Sequence, residues 1–201
     1  DYIPQQDFLE KIVAPFVDPE VAIAQGRIVV VNEGESLVTR IVSLERTGGY
    51  RVDQEGRDSL GLVPQYGGTV GAIRRSFLEA VGGWDESILA EDTDLTFEAI
   101  VRGFQVRYVN DAECYEEAVS TWGAYWKQRL RWAYGHMQCA LKHTIPLLKS
   151  KAVSFWKKID GLLLLYIYFV PVLVGLGWVL GIYAFFVKPP FWLGLYWMAL
   201  F

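Results

Sequence analysis

From Gly161 to Val187 the chain carries no charged side chain over 27 consecutive positions. As a helix rising about 1.5 Å per residue, such a run exceeds the roughly 30 Å hydrocarbon core of a bilayer, and it reads as a full membrane span. Pro171 and the glycines at 175, 177 and 181 do not argue against this, because both residue types are commoner in spanning helices than in soluble ones. Lys142, Lys149, Lys151, Lys157 and Lys158 precede the run and Lys188 follows it. The positive-inside rule therefore places the long N-terminal portion in the cytoplasm. Pro189 and Pro190 then break the chain, and Phe191 to Phe201 is apolar, as in a second, truncated span. The expectation is a multi-pass protein of the cell (inner or plasma) membrane with a cytoplasmic domain.

Nearly all the charge lies in the first 160 residues. A net charge of −4 and a pI near 5.3 exclude nucleic acid as the main partner, since no basic patch dominates. Two cysteines, Cys114 and Cys139, in a domain placed in the cytosol argue against a structural disulfide. With only His136 and His143 there is no zinc cluster, so any metal has to be a hard ion held by carboxylates and phosphates.

Helices and strands alternate along this portion, the signature of an α/β domain. Phe8, Leu9, Ile12 and Val13 give a helix over Gln5–Val13 that stops at Pro15, and the β-branched run Arg27–Val31 gives a buried strand. Residues 32–61 are polar and glycine-dotted, a partly helical excursion without an assigned place. Val70–Ile73 is a short strand after Gly67, Gly68 and Thr69. Two glycines there either allow a backbone to approach a ligand or only make a turn. Ser76 with Glu79 reads as a capping box for a helix closed by Gly82 and Gly83. Asp92 stands at the N-cap of a helix over Thr93–Arg102 stopped by Gly103, and Gln105–Val109 is a strand. Asp92, Asp94 and Glu98 have an ordinary reading as cap and dipole partners of that helix.

A helix over Ala118–Lys142 places Gln128, Arg131 and Trp132 on one face, at i, i+3 and i+4. The apolar stripe Trp122, Trp126, Leu130, Ala133, Met137 and Leu141 is then expected to be the side that packs. Pro146–Ile159, lysine-rich with interspersed Leu147, Leu148, Val153, Phe155 and Trp156, reads as a helix in the membrane interface.

Taken in order, YGGTVGAIRR (Tyr66 to Arg75), GGWDE (Gly82 to Glu86), AEDTDL (Ala90 to Leu95) and QRLRW (Gln128 to Trp132) resemble the processive family-2 glycosyltransferases: the cellulose, chitin, hyaluronan and poly-N-acetylglucosamine synthases. The resemblance covers most of the chain. It implies the C-terminal part of a GT-A type α/β domain over residues 1–142, an amphipathic interface helix over 143–159, and a transmembrane region over 160–201.

The activity implied is inverting transfer of a sugar from a nucleotide-sugar donor, a UDP-sugar, to the end of a growing polysaccharide. Asp92 matches the family's general base and Glu91 the acid before it, with Ala90 where threonine is usual. Gln128, Arg129, Arg131 and Trp132, with Gly68 and Thr69, match donor and acceptor positions, the tryptophan facing the terminal acceptor sugar. A cation such as Arg131 suits the charge gathering on the departing diphosphate. Asp1 stands where the second aspartate of the metal-binding DxD motif belongs, for Mg2+ or Mn2+. The first aspartate and the nucleotide-binding strands would lie upstream, so the resemblance implies a larger enzyme. Gln25 matches a glutamine of the synthases. Two other readings use the same residues: a non-processive transferase with a lipid acceptor, and an inactive membrane scaffold.

Overall fold

The computed structural model describes residues 2–187, and the chain divides into two compact units, residues 1–165 and 166–201. The first is an α/β unit. Its four strands are β1 (Tyr2–Pro4), β2 (Val21–Val30), β3 (Gly71–Ile73) and β4 (Gln105–Glu116), in the order β1-β4-β2-β3. β2 and β4 run parallel at the centre, while β1 and β3 pair antiparallel at the edges. β2 is longer than its β-branched half suggests: Ala22, Ile23, Ala24 and Gln25 are fully buried, and packing between two neighbours overrides their weaker strand propensity. At Gly26, where the register with β4 shifts, an added Cβ would come within 2.6 Å of the Ala112 carbonyl.

The helices of this unit are α1 (Phe8–Val13), α2 (Leu37–Thr47), α3 (Glu55–Ser59), α4 (Arg75–Val81), α5 (Glu91–Val101), α6 (Trp122–Lys149) and α7 (Phe155–Tyr166). Within residues 32–61, unplaced from sequence, residues 37–59 form one continuous helical arm. Ser36 and Thr39 make a reciprocal capping box at its start, and a π-helical stretch, Gly48–Gln54, joins α2 to α3. Such a stretch re-phases the helix. Val38 and Val42 pack on Ala118 beneath α2, Tyr50 packs on Ile28 and Tyr108, and Asp58 accepts from the Tyr108 amide (3.0 Å).

Several expectations are corrected. Ser76 does not cap α4, whose N-cap is Arg74, because Glu79 pairs instead with Arg75 at 2.7 Å. Gly82, at φ +86°, does end that helix. Asp92 lies inside the first turn of α5, with Ala90 as the N-cap. The larger correction concerns α6. Its aromatic stripe faces outward, with Trp126 60% and Leu141 81% exposed, while Gly135, Cys139, Ala140, His143 and Leu147 are buried. Small residues decide this: a Cβ on Gly135 would lie 2.6 Å from the Ala90 nitrogen, and the Cys139 thiol donates to the Ala90 carbonyl (3.4 Å). Gln128 and Trp132 share the helical side of Gly135 and Cys139, so the QRLRW face looks inward.

No single helix covers Pro146–Ile159. α6 carries Pro146 and continues to Lys149, residues 150–154 are irregular, and α7 begins at Phe155. The start of the uncharged run also belongs to the α/β unit. Asp160 accepts from Arg57 (2.5 Å) and from the Val63 amide (3.0 Å), Gly161 lies against Leu147 and Phe97, and Leu165 is fully buried. In the second unit a 3-10 turn, Ile167–Phe169, leads into α8 (Val170–Val187). The segment Phe155–Tyr183, in which an 18-residue stretch has a mean hydropathy of 2.3, is long and apolar enough to cross a membrane. The expected second span lies outside the described residues.

Candidate active site

A glutamine with no exposed surface in the middle of β2 has to satisfy its amide within the protein. Gln25 does so by holding a loop. Its Nε2 donates to the carbonyls of Gly26 (2.8 Å), Thr69 (3.1 Å) and Val70 (3.2 Å), and its Oε1 accepts from the Gly67 amide (2.7 Å). Gly67–Val70 is thereby clamped. Val70 adopts φ +56°, a costly geometry for a β-branched residue, maintained only where the surroundings over-determine it. Here the Gln25 bond and a 2.7 Å bond from the Gly26 amide fix its carbonyl. Gly68, at φ +75°, lies so close to Asp92 that an added Cβ would be 3.0 Å from its Oδ2. Of the two readings open for these glycines, the close approach is realised, and it is made to the Asp92 side chain.

Asp92 is half-buried. Burial pushes its carboxyl above the ordinary value and Glu91 adds to this, against opposing help from the Thr93 amide, which donates to Oδ1 at 2.6 Å. Thr96 fixes the backbone behind it, donating to the Asp92 carbonyl (2.9 Å) and accepting from the Tyr66 amide (3.1 Å). Glu91 is exposed. Asp94, two residues on, points elsewhere. It is buried, accepting from His143 Nε2 (2.6 Å) and Lys142 Nζ (2.8 Å), and these bonds hold its pKa below the ordinary value despite burial.

Across from Asp92, α6 presents the QRLRW segment to the helical arm. Arg129 pairs with Glu45, and Arg46 pairs with Glu116 at 2.6 Å. The guanidiniums of Arg129 and Arg46 lie 4.5 Å and 5.4 Å from the Trp132 ring centroid, within cation–π range. One turn further, His136 Nδ1 is 2.9 Å from the Trp132 carbonyl, and its Nε2 is 3.0 Å from Gln65 Nε2 and 3.2 Å from Thr93 Oγ1. The tryptophan segment and the residue after Asp92 thus meet through one imidazole.

Residues 1–201 match the family described as glycosyl transferase family group 2. The chain belongs to this family. It is 35% identical over 171 residues to a probable glucomannan 4-beta-mannosyltransferase 4 of Oryza sativa subsp. japonica, an alignment covering 84% of this chain and 30% of that protein. It is also 35% identical over 134 residues to the probable glycosyltransferase YdaM of Bacillus subtilis (strain 168), covering 67% of this chain and 32% of that one. The chain thus spans about a third of the length of these relatives. Among solved structures it is similar to mannosyltransferase PcManGT from Pyrobaculum calidifontis, in complex with GDP-Man and Mn2+. There the TM-score is 0.50 at 18% identity, over 93% of this chain and 53% of that one. That likeness speaks to the fold alone. The first unit is a GT-A-like α/β domain of a family-2 glycosyltransferase, followed by an apolar helix.

Within this family-2 domain, the expected site residues are brought together only in part. Gly68 and Asp92 touch, Thr69 is tied to Gln25, and Trp132 reaches Thr93 through His136. Gln128 and Arg129 lie half-buried on the inward side of α6, whereas Arg131 and Glu91 are exposed. Asp1 lies outside the described residues. Gln65, His136, Glu45 and Arg46 complete the constellation without having been singled out from sequence. Gln65 and His136 are 71 residues apart, and no local pattern links them.

One trio, Asp94, Glu98 and His143, brings its ligand atoms within 4.8 Å of one another. It does not fit a metal ion. The Lys142 ammonium stands 2.8 Å from Asp94 and 3.8 Å from Glu98, already supplying the cation, and His143 Nε2 is spent on Asp94.

Proposed function

We propose that this chain is the acceptor-side part of a membrane-bound, inverting glycosyltransferase, which adds a sugar from a nucleotide-sugar donor to the end of a growing polysaccharide. Asp92 is the general base. The observation that carries the reading is its environment: a half-buried carboxyl of raised pKa, one glycine loop on one side and the QRLRW helix on the other. A base whose pKa has moved toward neutrality accepts a proton more effectively.

In the reaction an acceptor hydroxyl gives its proton to an Asp92 oxygen as that hydroxyl oxygen bonds to the donor's anomeric carbon. The bond from that carbon to the diphosphate breaks on the opposite face, and the nucleoside diphosphate leaves with the electron pair. One carboxylate suffices for a single displacement, and a positioned base contributes on the order of 10²- to 10⁴-fold. Gly68 and Thr69 line the acceptor side, Trp132 meets the terminal sugar, and Arg131 is exposed and available to the departing diphosphate. A divalent ion, Mg2+ or Mn2+, belongs to this reading through the donor's diphosphate, with Asp1 as one carboxylate.

The curated relatives' names favour mannosyl transfer to a polysaccharide; UDP-sugars are the competing donors. The outward stripe of α6 (Trp122, Trp126, Leu130, Leu141) and the apolar Phe155–Tyr183 segment support attachment to the bilayer of the cell membrane, with the domain on its cytoplasmic side. The test is transfer by the full-length enzyme from GDP-mannose and from each common UDP-sugar, in wild type and Asp92→Asn. The variant is expected to bind donor and to lose transfer. Transfer within tenfold of wild type removes Asp92 from the base role.

A further inference from the structure

We infer that His136 is a positioning residue for the Asp92 base: as the neutral tautomer protonated on Nδ1, it locks α6, the segment entering the glycine loop and the start of α5 into one arrangement. The inference rests on the Asp92 reading. The hydrogen-bond chemistry selects the tautomer. The Trp132 carbonyl can only accept, so at 2.9 Å the His136 Nδ1 carries the proton. Nε2 is then an acceptor, for the Gln65 amide at 3.0 Å and the Thr93 hydroxyl at 3.2 Å, and Gln65 Nε2 also donates to Thr93 Oγ1 at 2.8 Å. Each bond reaches a different part of the site. Trp132 belongs to the acceptor-facing segment, Gln65 stands two residues before Gly67, and Thr93 follows Asp92 and donates its backbone N–H to the Asp92 carboxylate.

The charged group that acts on this ring is Asp92, and Asp92 in turn has Glu91 on α5, Tyr66 beside the loop and Tyr50 on the arm within electrostatic range. Burial lowers the His136 pKa, against the Trp132 carbonyl and the Asp92 charge, and burial raises that of Tyr66. The ring is neutral at neutral pH. A proton on Nε2 would set an N–H against the Gln65 amide N–H, so that amide and the Thr93 hydroxyl must both turn over, undoing the arrangement in which Gln65 Nε2 donates to Thr93 Oγ1. The same cation would stabilise the Asp92 carboxylate and weaken it as a base. Turnover therefore needs both groups unprotonated: either proton stops it, and at pH well below both pKa values both are bound, so the acid limb steepens toward a slope of two.

The experiment is the pH dependence of kcat for the full-length enzyme in wild type, His136→Gln and His136→Phe, with donor binding checked for each. Glutamine places an acceptor oxygen near the position of Nε2 but does not titrate. At pH 8 we expect kcat to fall at least about tenfold in His136→Phe and clearly less in His136→Gln, with donor KM moving less than kcat. On the acid side, log kcat should approach a slope of two in wild type and of one in His136→Gln. Superimposable acid limbs in those two proteins overturn the inference, and this holds even if His136→Phe does not fold. Asp92→Asn separates the two claims. If it is active, the base assignment fails. If it is inactive while the His136→Gln limb matches wild type, only the role of His136 fails.

Discussion

The two sides of α5 carry aspartates two residues apart with opposite fates. Asp94, on the closed side, is buried with His143 and Lys142, and its pKa lies below the ordinary value. Asp92, on the open side, receives the Thr93 amide, faces a glycine, and has its pKa raised by burial. A helix presents residues i and i+2 to different surroundings, so one acidic motif yields a structural ion pair and a candidate base. The difference lies in how fully each carboxylate is neutralised.

The comparison breaks most visibly in activity. Asp92→Asn should cost on the order of 10²- to 10⁴-fold in kcat, and it should leave thermal stability equal or raised, because a carboxyl of raised pKa is destabilising when ionised. A clear loss of Tm would place Asp92 with Asp94 as a structural group.

Asp94→Ala should act in the reverse sense. It leaves buried His143 without its acceptor and takes the nearest carboxylate from Lys142, which keeps Asp85 and Glu98, an effect of about 1 to 3 kcal/mol for a buried group left unsatisfied, read as a lower midpoint in denaturant. The wild-type pH dependence follows from the lowered pKa: the Asp94 contribution is complete above about pH 4, near the ordinary carboxylate value, and is lost as pH falls through the folded-state value. Stability of Asp94→Ala equal to wild type at pH 7 would contradict the closed-side description.

Gly68→Ala sharpens the open side. Its Cβ would meet Asp92 Oδ2 at 3.0 Å on a backbone at φ +75°, which costs roughly 1 to 2 kcal/mol in the left-handed region. Displacing the base should lower kcat on the order of tenfold or more. Unchanged kcat in folded Gly68→Ala would show that the loop can retreat from Asp92.

The smallest effect is chemical. Cys139 is buried on the closed side, and burial with the neighbouring Asp94 pushes its thiol up to about 12. It should stay unmodified by iodoacetamide at pH 8 in the folded protein and react after denaturation, as mass spectrometry would show. Rapid modification of the native protein would mean that α6 lifts from Ala90.

Local signals were enough for part of the fold. Gly82 ends α4 in the left-handed conformation, Gly103 follows α5 at φ +89°, and the uncharged run forms helix. Gln25 was marked only by its match to a glutamine of the synthases: the strand read from sequence, Arg27–Val31, begins after it, and which loop it holds depends on residues 67 to 70. The helical arm was not legible as a unit. Gly48 and Gly49 suggest an interruption, whereas the chain continues through a π-helical stretch fastened by Tyr50 and Asp58 to β4.

What the sequence by itself determined is the order of α/β elements, the apolar segment after them, and the presence of AEDTDL and QRLRW, because these rest on periodicity, length and motif. Which face of α6 packs was decided only by tertiary structure. The rule that the apolar stripe turns inward assumes water outside. Here the small residues Gly135, Cys139 and Ala140 let α6 approach Ala90 closely, and the large tryptophans are left outward. Close backbone approach outweighed side-chain hydrophobicity, and it brought Trp132 and His136 to the side of Asp92.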